Sequence, residues 1–185
     1  TKLGKELRDI LLHTHDEVSP RAEALLYAAD RAHHVETLIR PALERGEIVI
    51  TDRYLDSSIA YQGAGRVLSP GEVGRISRWA TESLIPTLTI IIDLPSEIGL
   101  GRLKSRDRLE RESLDFHERV RQEFLSMALL DPERYLVIDG RQSIEDLNRA
   151  IVDRVMELRD LNKIEKKPKI KKRIIKKPHL RKKSK

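Results

Sequence analysis

Residues 48–62 combine an apolar run with side chains suited to phosphate chemistry. The run Ile-Val-Ile-Thr at residues 48–51 is followed directly by Asp52 and Arg53. An acid at the end of a buried strand can hold Mg²⁺ or its water, and an arginine offers a planar fork of donors that matches a phosphate. An Asp-Arg pair alone is typical of surface ion pairs. The whole run Asp-Arg-Tyr-x-x-Ser-x-x-Ala-Tyr-Gln, which ends at Gln62, is far more specific.

Tyr27 and Arg31 are four residues apart in a segment whose pattern predicts a helix. Residues at this spacing share one helix face, so an aromatic ring could stack on a base while the arginine bonds to it. The same spacing is typical of an amphipathic core helix with a solvated arginine. Taken alone, this segment favours that second interpretation.

Residues 101–111 are rich in arginine. Arginines beside a phosphoryl group neutralise the charge that spreads over it during transfer. We rank Arg102 and Arg106 first because they share a face of a predicted helix, and we rank Arg108 next. The alternative is a solvated, charged helix with no role in chemistry.

Three short runs rich in apolar and β-branched residues predict strands at 48–51, 88–93 and 135–139, buried on both faces of a parallel sheet. Helical segments lie around them. The alternation predicts an α/β fold, a parallel sheet covered by helices on both faces. The predicted helices span residues 20–44, 69–83, 97–104, 113–130 and 143–161.

Ligands of such sheets bind beyond the carboxyl ends of the strands. This rule places Asp52, Arg53, Asp93 and Asp139 near a site. For Asp93 and Asp139 we favour the simpler interpretation that they cap the following turns. The glycine pair at residues 63–65 is interpreted as a turn.

The charge of the chain divides into two parts. Of 36 Lys and Arg and 30 Asp and Glu, residues 163–185 hold thirteen bases and one acid, which leaves 23 bases and 29 acids before them. Residues 1–162 are therefore predicted to form one acidic domain, and 163–185 a basic, disordered tail. The chain has no cysteine and no apolar run long enough to span a bilayer, which fits a cytoplasmic protein.

The run that ends at Gln62 resembles the signature of thymidylate kinases, which are P-loop nucleoside monophosphate kinases. The segment around Tyr27 is similar to the family's thymine-reading helix, and residues 101–111 resemble its arginine-rich lid of bacterial type. The resemblance covers about residues 1–160. It implies an ATP-dependent dTMP kinase that makes dTDP with Mg²⁺, and a homodimer.

The resemblance also implies residue roles. Tyr27 stacks on thymine, Arg31 bonds to it, and Arg53 holds the acceptor phosphate. Asp52 serves Mg²⁺, directly or through water. Tyr61 packs against the deoxyribose where a 2′-hydroxyl would otherwise lie. Ser57, Ser58 and Gln62 line the base and sugar pocket, although the family often has asparagine or threonine at the position of Ser58. The catalytic arginines are Arg53, Arg102, Arg106 and Arg108.

Residues 1–4 resemble the end of the family's Arg-Glu-Pro-Gly-Gly-Thr segment. We therefore expect the first strand, the P-loop, the first helix and the second strand, roughly 40 residues, to be missing from the domain. No glycine-rich loop followed by Lys and Ser or Thr occurs in residues 1–185. The expectation is that this chain alone is inactive.

Two other functions remain open. One is a related kinase for another nucleotide or for a deoxynucleoside, against which Tyr61 and the Tyr27/Arg31 pair argue. The other is a protein that binds nucleic acid non-specifically through the phosphate-binding charges of the tail.

Overall fold

The computed structural model describes residues 1–13, 18–66, 68–103, 105 and 107–165, with side chains up to residue 160. Arg106 and residues 166–185 of the predicted tail lie outside the described residues. The described helices are, in chain order, α1 (Lys2–His13), α2 (Pro20–His34), α3 (Arg40–Glu44), α4 (Leu55–Ser58), α5 (Pro70–Ala80), α6 (Ser96–Gly101), α7 (Leu114–Leu130) and α8 (Ile144–Glu165). The described strands are β1 (Thr89–Asp93) and β2 (Tyr135–Asp139).

The parallel sheet is confirmed. β1 and β2 pair in parallel, and the register aligns Thr89 with Tyr135 and Asp93 with Asp139. Helices α7 and α8 both contact β2. The cover is incomplete among the described residues, because Ile92 and Val137 remain about half exposed.

The predicted strand at 48–51 is wrong. Its residues have no strand structure, and Ile48 and Ile50 are 79% and 91% exposed. An apolar run forms a strand only where a neighbouring strand pairs with its backbone. In the part of the chain that the structure describes, the sheet consists of β1 and β2, and neither pairs with this run.

Most predicted helices are confirmed, and local caps explain their beginnings. The hydroxyl of Ser69 accepts from the N–H of Glu72 at 3.4 Å, and Pro70 is the first residue of α5. The Ser113 and Ser143 hydroxyls cap α7 and α8 in the same way. α8 runs four residues beyond the predicted end and crosses the predicted boundary at 162.

The helix predicted at 20–44 is continuous but changes pitch. A π-helical segment, Val35–Ile39, joins α2 to α3, and Gly46 beyond its end has a positive φ of 79°. Two helices were missed by the sequence interpretation. One is α1, and the other is the stretch from α4 through a second π-helical segment, Ile59–Gly65.

The interpretation of residues 63–65 as a turn is therefore wrong. Gly65 packs so closely against α7 that a Cβ there would lie 2.7 Å from a ring carbon of Phe116. The glycine permits helix packing rather than a reversal of the chain. The core cluster lies at this contact and contains Leu11, Leu12, Ala60, Leu109, Phe116 and Val120.

No helix in the described part of the chain is long and apolar enough to cross a membrane.

Candidate active site

The loop before α4 presents Arg53 to the aromatic side chains of the site. Arg53 has a positive φ of 64°, which is uncommon outside glycine. Its guanidinium lies over the ring of Tyr61, 4.8 Å from the ring centroid. The Thr51 hydroxyl donates to the carbonyl of Arg53 at 3.1 Å, which helps to hold this loop conformation. A cation held on an aromatic face gains an attraction that does not use its hydrogen-bond donors.

Contacts with core residues hold the ring of Tyr61 in place. Its ring meets those of Phe116 and Phe124 edge-on, with centroids 6.1 and 6.3 Å apart. Tyr27 packs against the same core cluster from α2. Burial and the nearby Glu23 carboxylate raise the pKa of the Tyr27 phenol, and the cations Arg108 and Arg53 oppose that shift.

Arg31 joins α2 to α4. Its Nη1 donates to the Ser58 hydroxyl at 3.0 Å, and its guanidinium lies 5.8 Å from the centroid of the Tyr54 ring. Burial lowers the pKa of Arg31. The pairing of Arg31 with Ser58 brings together two residues that the sequence assigns to base recognition. Ser57 is the next residue back on α4 and is half-buried.

Asp52 is exposed in the bend that carries Arg53. Within the described residues no group of three or more His, Asp and Glu side chains could hold a metal. Mg²⁺ in phosphoryl-transfer sites is usually bound by one or two carboxylates with waters and substrate phosphates, so one free carboxylate fits this chemistry.

Gln62 lies deeper than a pocket-lining role implies. Its side chain is buried, and its amide donates to the Glu23 carboxylate at 2.9 Å. Glu23 is 0% exposed and also accepts from Arg66 at 3.3 Å and from Arg108. Sequence reasoning missed Glu23, whose one signal was its place one turn before Tyr27 on the same predicted helix face.

The arginine-rich stretch is divided in the structure. Arg102 is exposed, and its Nη1 donates to the carbonyl of Gly140 at 3.4 Å. Arg108 instead donates to the carbonyl of Leu11 at 2.7 Å and to Glu23. The helix predicted at 97–104 ends at Gly101, and Arg106, which was ranked together with Arg102, lies outside the described residues.

Two further predictions concern the acids that end the strands. The carboxylate of Asp139 accepts from the N–H of Arg141 at 3.0 Å, so its role as a turn cap is confirmed. Asp93 is bound at both oxygens by Arg121, at 2.7 and 2.9 Å. Its carboxylate is therefore paired to α7 and does not cap a turn.

A second buried carboxylate, Asp56, was also missed. Arg134 binds both of its oxygens, at 3.0 and 3.1 Å, and the Tyr135 hydroxyl donates to it at 2.8 Å. The Thr89 hydroxyl adds a contact of 3.2 Å. These bonds tie α4 to the first residues of β1 and β2, and so fix the loop before α4 against the sheet.

Comparison with known proteins decides the family. The family model described as thymidylate kinase matches residues 1–151. The chain belongs to the thymidylate kinase family. The P-loop kinase fold expected from the sequence is thereby supported by the family as well as by the parallel sheet.

The similarity to individual members of the family is high. The thymidylate kinase of Clavibacter michiganensis subsp. michiganensis (strain NCPPB 382) is 54% identical over 162 residues, covering 85% of this chain and 77% of that protein. That of Bifidobacterium longum (strain DJO10A) is 52% identical over 163 residues, covering 85% and 79%. The crystal structure of thymidylate kinase from Ehrlichia chaffeensis superposes with a TM-score of 0.62 at 29% identity, covering 75% of this chain and 68% of that one.

Proposed function

We propose that this chain binds dTMP and, with ATP, takes part in the transfer of the γ-phosphoryl group to dTMP, which gives dTDP. Family membership supports the reaction. The observation that carries the acceptor site is the Arg53 guanidinium over the Tyr61 ring, with Tyr27 on the same core cluster. An aromatic wall beside a fixed cation suits a nucleotide, which has an apolar base and an anionic phosphate.

The residue roles follow from these contacts. Tyr27 stacks on thymine, and Arg31, oriented by Ser58, donates to a base oxygen. Tyr61 fills the space of a ribose 2′-hydroxyl and so selects the deoxy sugar. Ser57 lines the pocket beside Ser58.

The phosphate end of dTMP belongs to the loop before α4 in this proposal. Arg53 binds the acceptor phosphate, because its guanidinium, placed over the Tyr61 ring, offers a planar fork of donors that matches the anion. An oxygen of that phosphate attacks the γ-phosphorus of ATP, the bond to the β-phosphate oxygen breaks, and ADP leaves. Asp52 would hold Mg²⁺, which supplies charge neutralisation to the transferred group when bound.

Of the arginines in the lid stretch, we propose that Arg108 neutralises the developing charge, because it pairs with Glu23, one helical turn before Tyr27 on α2. Arg102 and Arg106 remain candidates for the same role. Thymidylate kinases need positioning and charge neutralisation more than a strong base.

The reaction itself is tested by a coupled ADP-release assay on the protein with dTMP and ATP. ADP should form only when both nucleotides are present. A folded sample that binds both nucleotides and releases no ADP would contradict the proposal.

Assembly as a homodimer is a further part of the proposal. α2, the segment after it and α5 keep large apolar side chains exposed, among them Leu25, Leu38 and Trp79. A helical interface would bury them. Sedimentation at micromolar concentration should give a dimer, and a folded monomer alone would contradict it.

Binding of dTMP is the direct test of the acceptor site. Calorimetric titration of residues 1–185 with dTMP should give saturable binding, and the ribose analogue of dTMP should bind more weakly because Tyr61 excludes the 2′-hydroxyl. Equal binding of both nucleotides would remove the role of Tyr61. No binding of either by a folded sample would contradict the proposed function.

The lack of cysteine in the sequence supports a cytoplasmic setting.

A further inference from the structure

Glu23 is a fully buried carboxylate to which the proposed chemistry gives no role. Its partners come from segments far apart in the chain: Gln62 and Arg66 lie about 40 residues on, and Arg108 lies 85 residues on. Buried acids are stable only when paired and hydrogen-bonded. Both oxygens of Glu23 are used, since Gln62 donates to Oε1 and the two arginines reach Oε2.

The Glu23 carboxyl carries a negative charge in the folded protein. Burial alone raises the pKa of the Glu23 carboxyl, but hydrogen bonds from Gln62 and Arg108 and the charge of Arg66 outweigh it, so its pKa lies below the ordinary value. The carboxylate is therefore ionised at neutral pH. Arg66 pairs with two acids, Glu23 and Glu112, and its distance to Glu112 is 2.6 Å. Among the described residues, the acid that pairs with Arg108 is Glu23.

Arg108 is held from two further directions. Its Nε donates to the carbonyl of Leu11 at 2.7 Å, and the next residue, Leu109, is buried in the core cluster. Residues 107–110 are closed by reciprocal bonds, since the Asp107 N–H donates to the Glu110 carboxylate at 2.8 Å and the Glu110 N–H donates back at 2.9 Å. This part of the arginine-rich stretch is anchored rather than loose.

The anchor lies beside the nucleotide site. Glu23 is one helical turn before Tyr27 on α2, so the two side chains share a face. The charges of Glu23, Arg108 and Arg53 all act on the Tyr27 hydroxyl. Whatever fixes Arg108 to Glu23 therefore also fixes it next to the residue that stacks on the base.

We propose that Glu23 is a positioning residue for phosphoryl transfer: it holds the Arg108 guanidinium beside Tyr27, in place before the acceptor nucleotide arrives. The inference rests on the proposed function. It predicts that loss of the Glu23 charge harms the chemical step more than nucleotide binding, because Arg108 neutralises charge that develops only during transfer.

The test is Glu23→Gln, which keeps the shape and removes the charge. In a coupled ADP-release assay with dTMP and ATP, kcat should fall by about tenfold or more while the KM for dTMP changes less than about threefold. In residues 1–185, amide hydrogen exchange of the peptide 107–112 should become faster, because the turn loses its anchor. Glu23→Asp keeps the charge on a shorter stem, and its kcat should fall less than that of Glu23→Gln.

The matched control is Glu112→Gln, which removes the other acid of Arg66 and leaves Arg108 paired. It should keep kcat and the exchange of 107–112 unchanged within about twofold. An equal loss of kcat in Glu112→Gln would overturn the inference. If Glu23→Gln does not fold, a Glu23→Asp variant whose KM for dTMP rises by a larger factor than its kcat falls would overturn it. Normal dTMP binding with unchanged kcat in Glu23→Gln would overturn it while the proposed function stands. Absence of dTMP binding in the unsubstituted protein would overturn both.

Discussion

Glu23 and Asp56 are both buried carboxylates paired with arginine, yet they connect different parts of the molecule. Asp56 joins α4 to the first residues of both strands through Arg134 and Tyr135. Glu23 joins α2, the second π-helical segment and the arginine-rich stretch. The Asp56 network holds the loop before α4 against the sheet. The Glu23 network lies among the residues proposed to take part in phosphoryl transfer. The same kind of ion pair can therefore serve stability in one place and alignment in another.

The largest effect is expected at Asp56. Arg134→Ala leaves that carboxylate buried without its bidentate partner, and breaking such a pair typically costs about 3–5 kcal/mol of unfolding free energy. Urea unfolding measures it. Arg141→Ala, which removes an exposed pair with Asp139, is the control and should leave stability unchanged. Equal stability of the two variants would show that the Asp56 network is not structural.

The close contact between Gly65 and α7 gives the next prediction. Gly65→Ala forces a methyl group against Phe116 and should destabilise the protein by about 1–3 kcal/mol. Because the same π-helical segment carries Gln62, the Glu23 network should loosen as well, seen as faster exchange of 107–112. Gly101→Ala is the control, since no atom of the described residues lies within 4 Å of its added Cβ. A stable Gly65→Ala variant would mean that α7 shifts freely.

The affinity for dTMP should depend on Arg31, which belongs to neither of the two carboxylate networks. Arg31→Ala removes the donor proposed for thymine and should weaken dTMP binding by about 1–3 kcal/mol, the usual cost of losing a charge-assisted hydrogen bond. Calorimetry on a version that binds both nucleotides should show little change for ATP. Similar losses for dTMP and ATP would make Arg31 a structural residue.

The dependence of stability on pH should distinguish the unsubstituted protein from Glu23→Gln. Its folded pKa lies below the ordinary value of 4.5, so its contribution to stability is complete above that value and is lost as pH falls through the folded pKa. Urea unfolding between about pH 3 and pH 6 should therefore show a weaker pH dependence for Glu23→Gln than for the unsubstituted protein. Parallel curves would mean that the pairing of Glu23 does not depend on its charge.

The smallest effect is expected at helix caps far from either carboxylate. Ser69→Ala removes a hydroxyl that accepts from the N–H of Glu72, at a cost of about 1 kcal/mol. Ser19 precedes a proline in the same way, but its side chain makes no capping bond, so Ser19→Ala should cost less. Thermal unfolding of the two variants compares them, and a larger loss at Ser19 would contradict the structure.

The features predictable from the sequence were those fixed by neighbouring residues. The Ser-Pro beginning of α5 and the two confirmed strands depend on a few consecutive side chains. The run at 48–51 carries the same local signal, but whether it pairs depends on strands elsewhere. Local pattern cannot supply that information.

The candidate site divides in the same way. Tyr27, Arg31, Arg53 and Tyr61 were predicted because their spacing matches a family signature. The structure places Arg53 over Tyr61 and packs Tyr27 and Tyr61 against one core cluster. Glu23 and Asp56 were missed because they are distinguished by their partners, which lie 33 to 85 residues away. A buried acid looks like any surface acid until the packing is known. Gln62 was predicted to line the nucleotide pocket, but its side chain is buried and donates to Glu23.

The left-handed backbone at Arg53 sets a limit on engineering this protein. Glycine or asparagine would adopt that conformation with less strain, so a search for stabilising substitutions would select them there. Either one would remove the guanidinium proposed to bind the acceptor phosphate. Thermostability and turnover therefore make opposite demands on one position, and a library scored on heat resistance alone would enrich inactive variants at this residue.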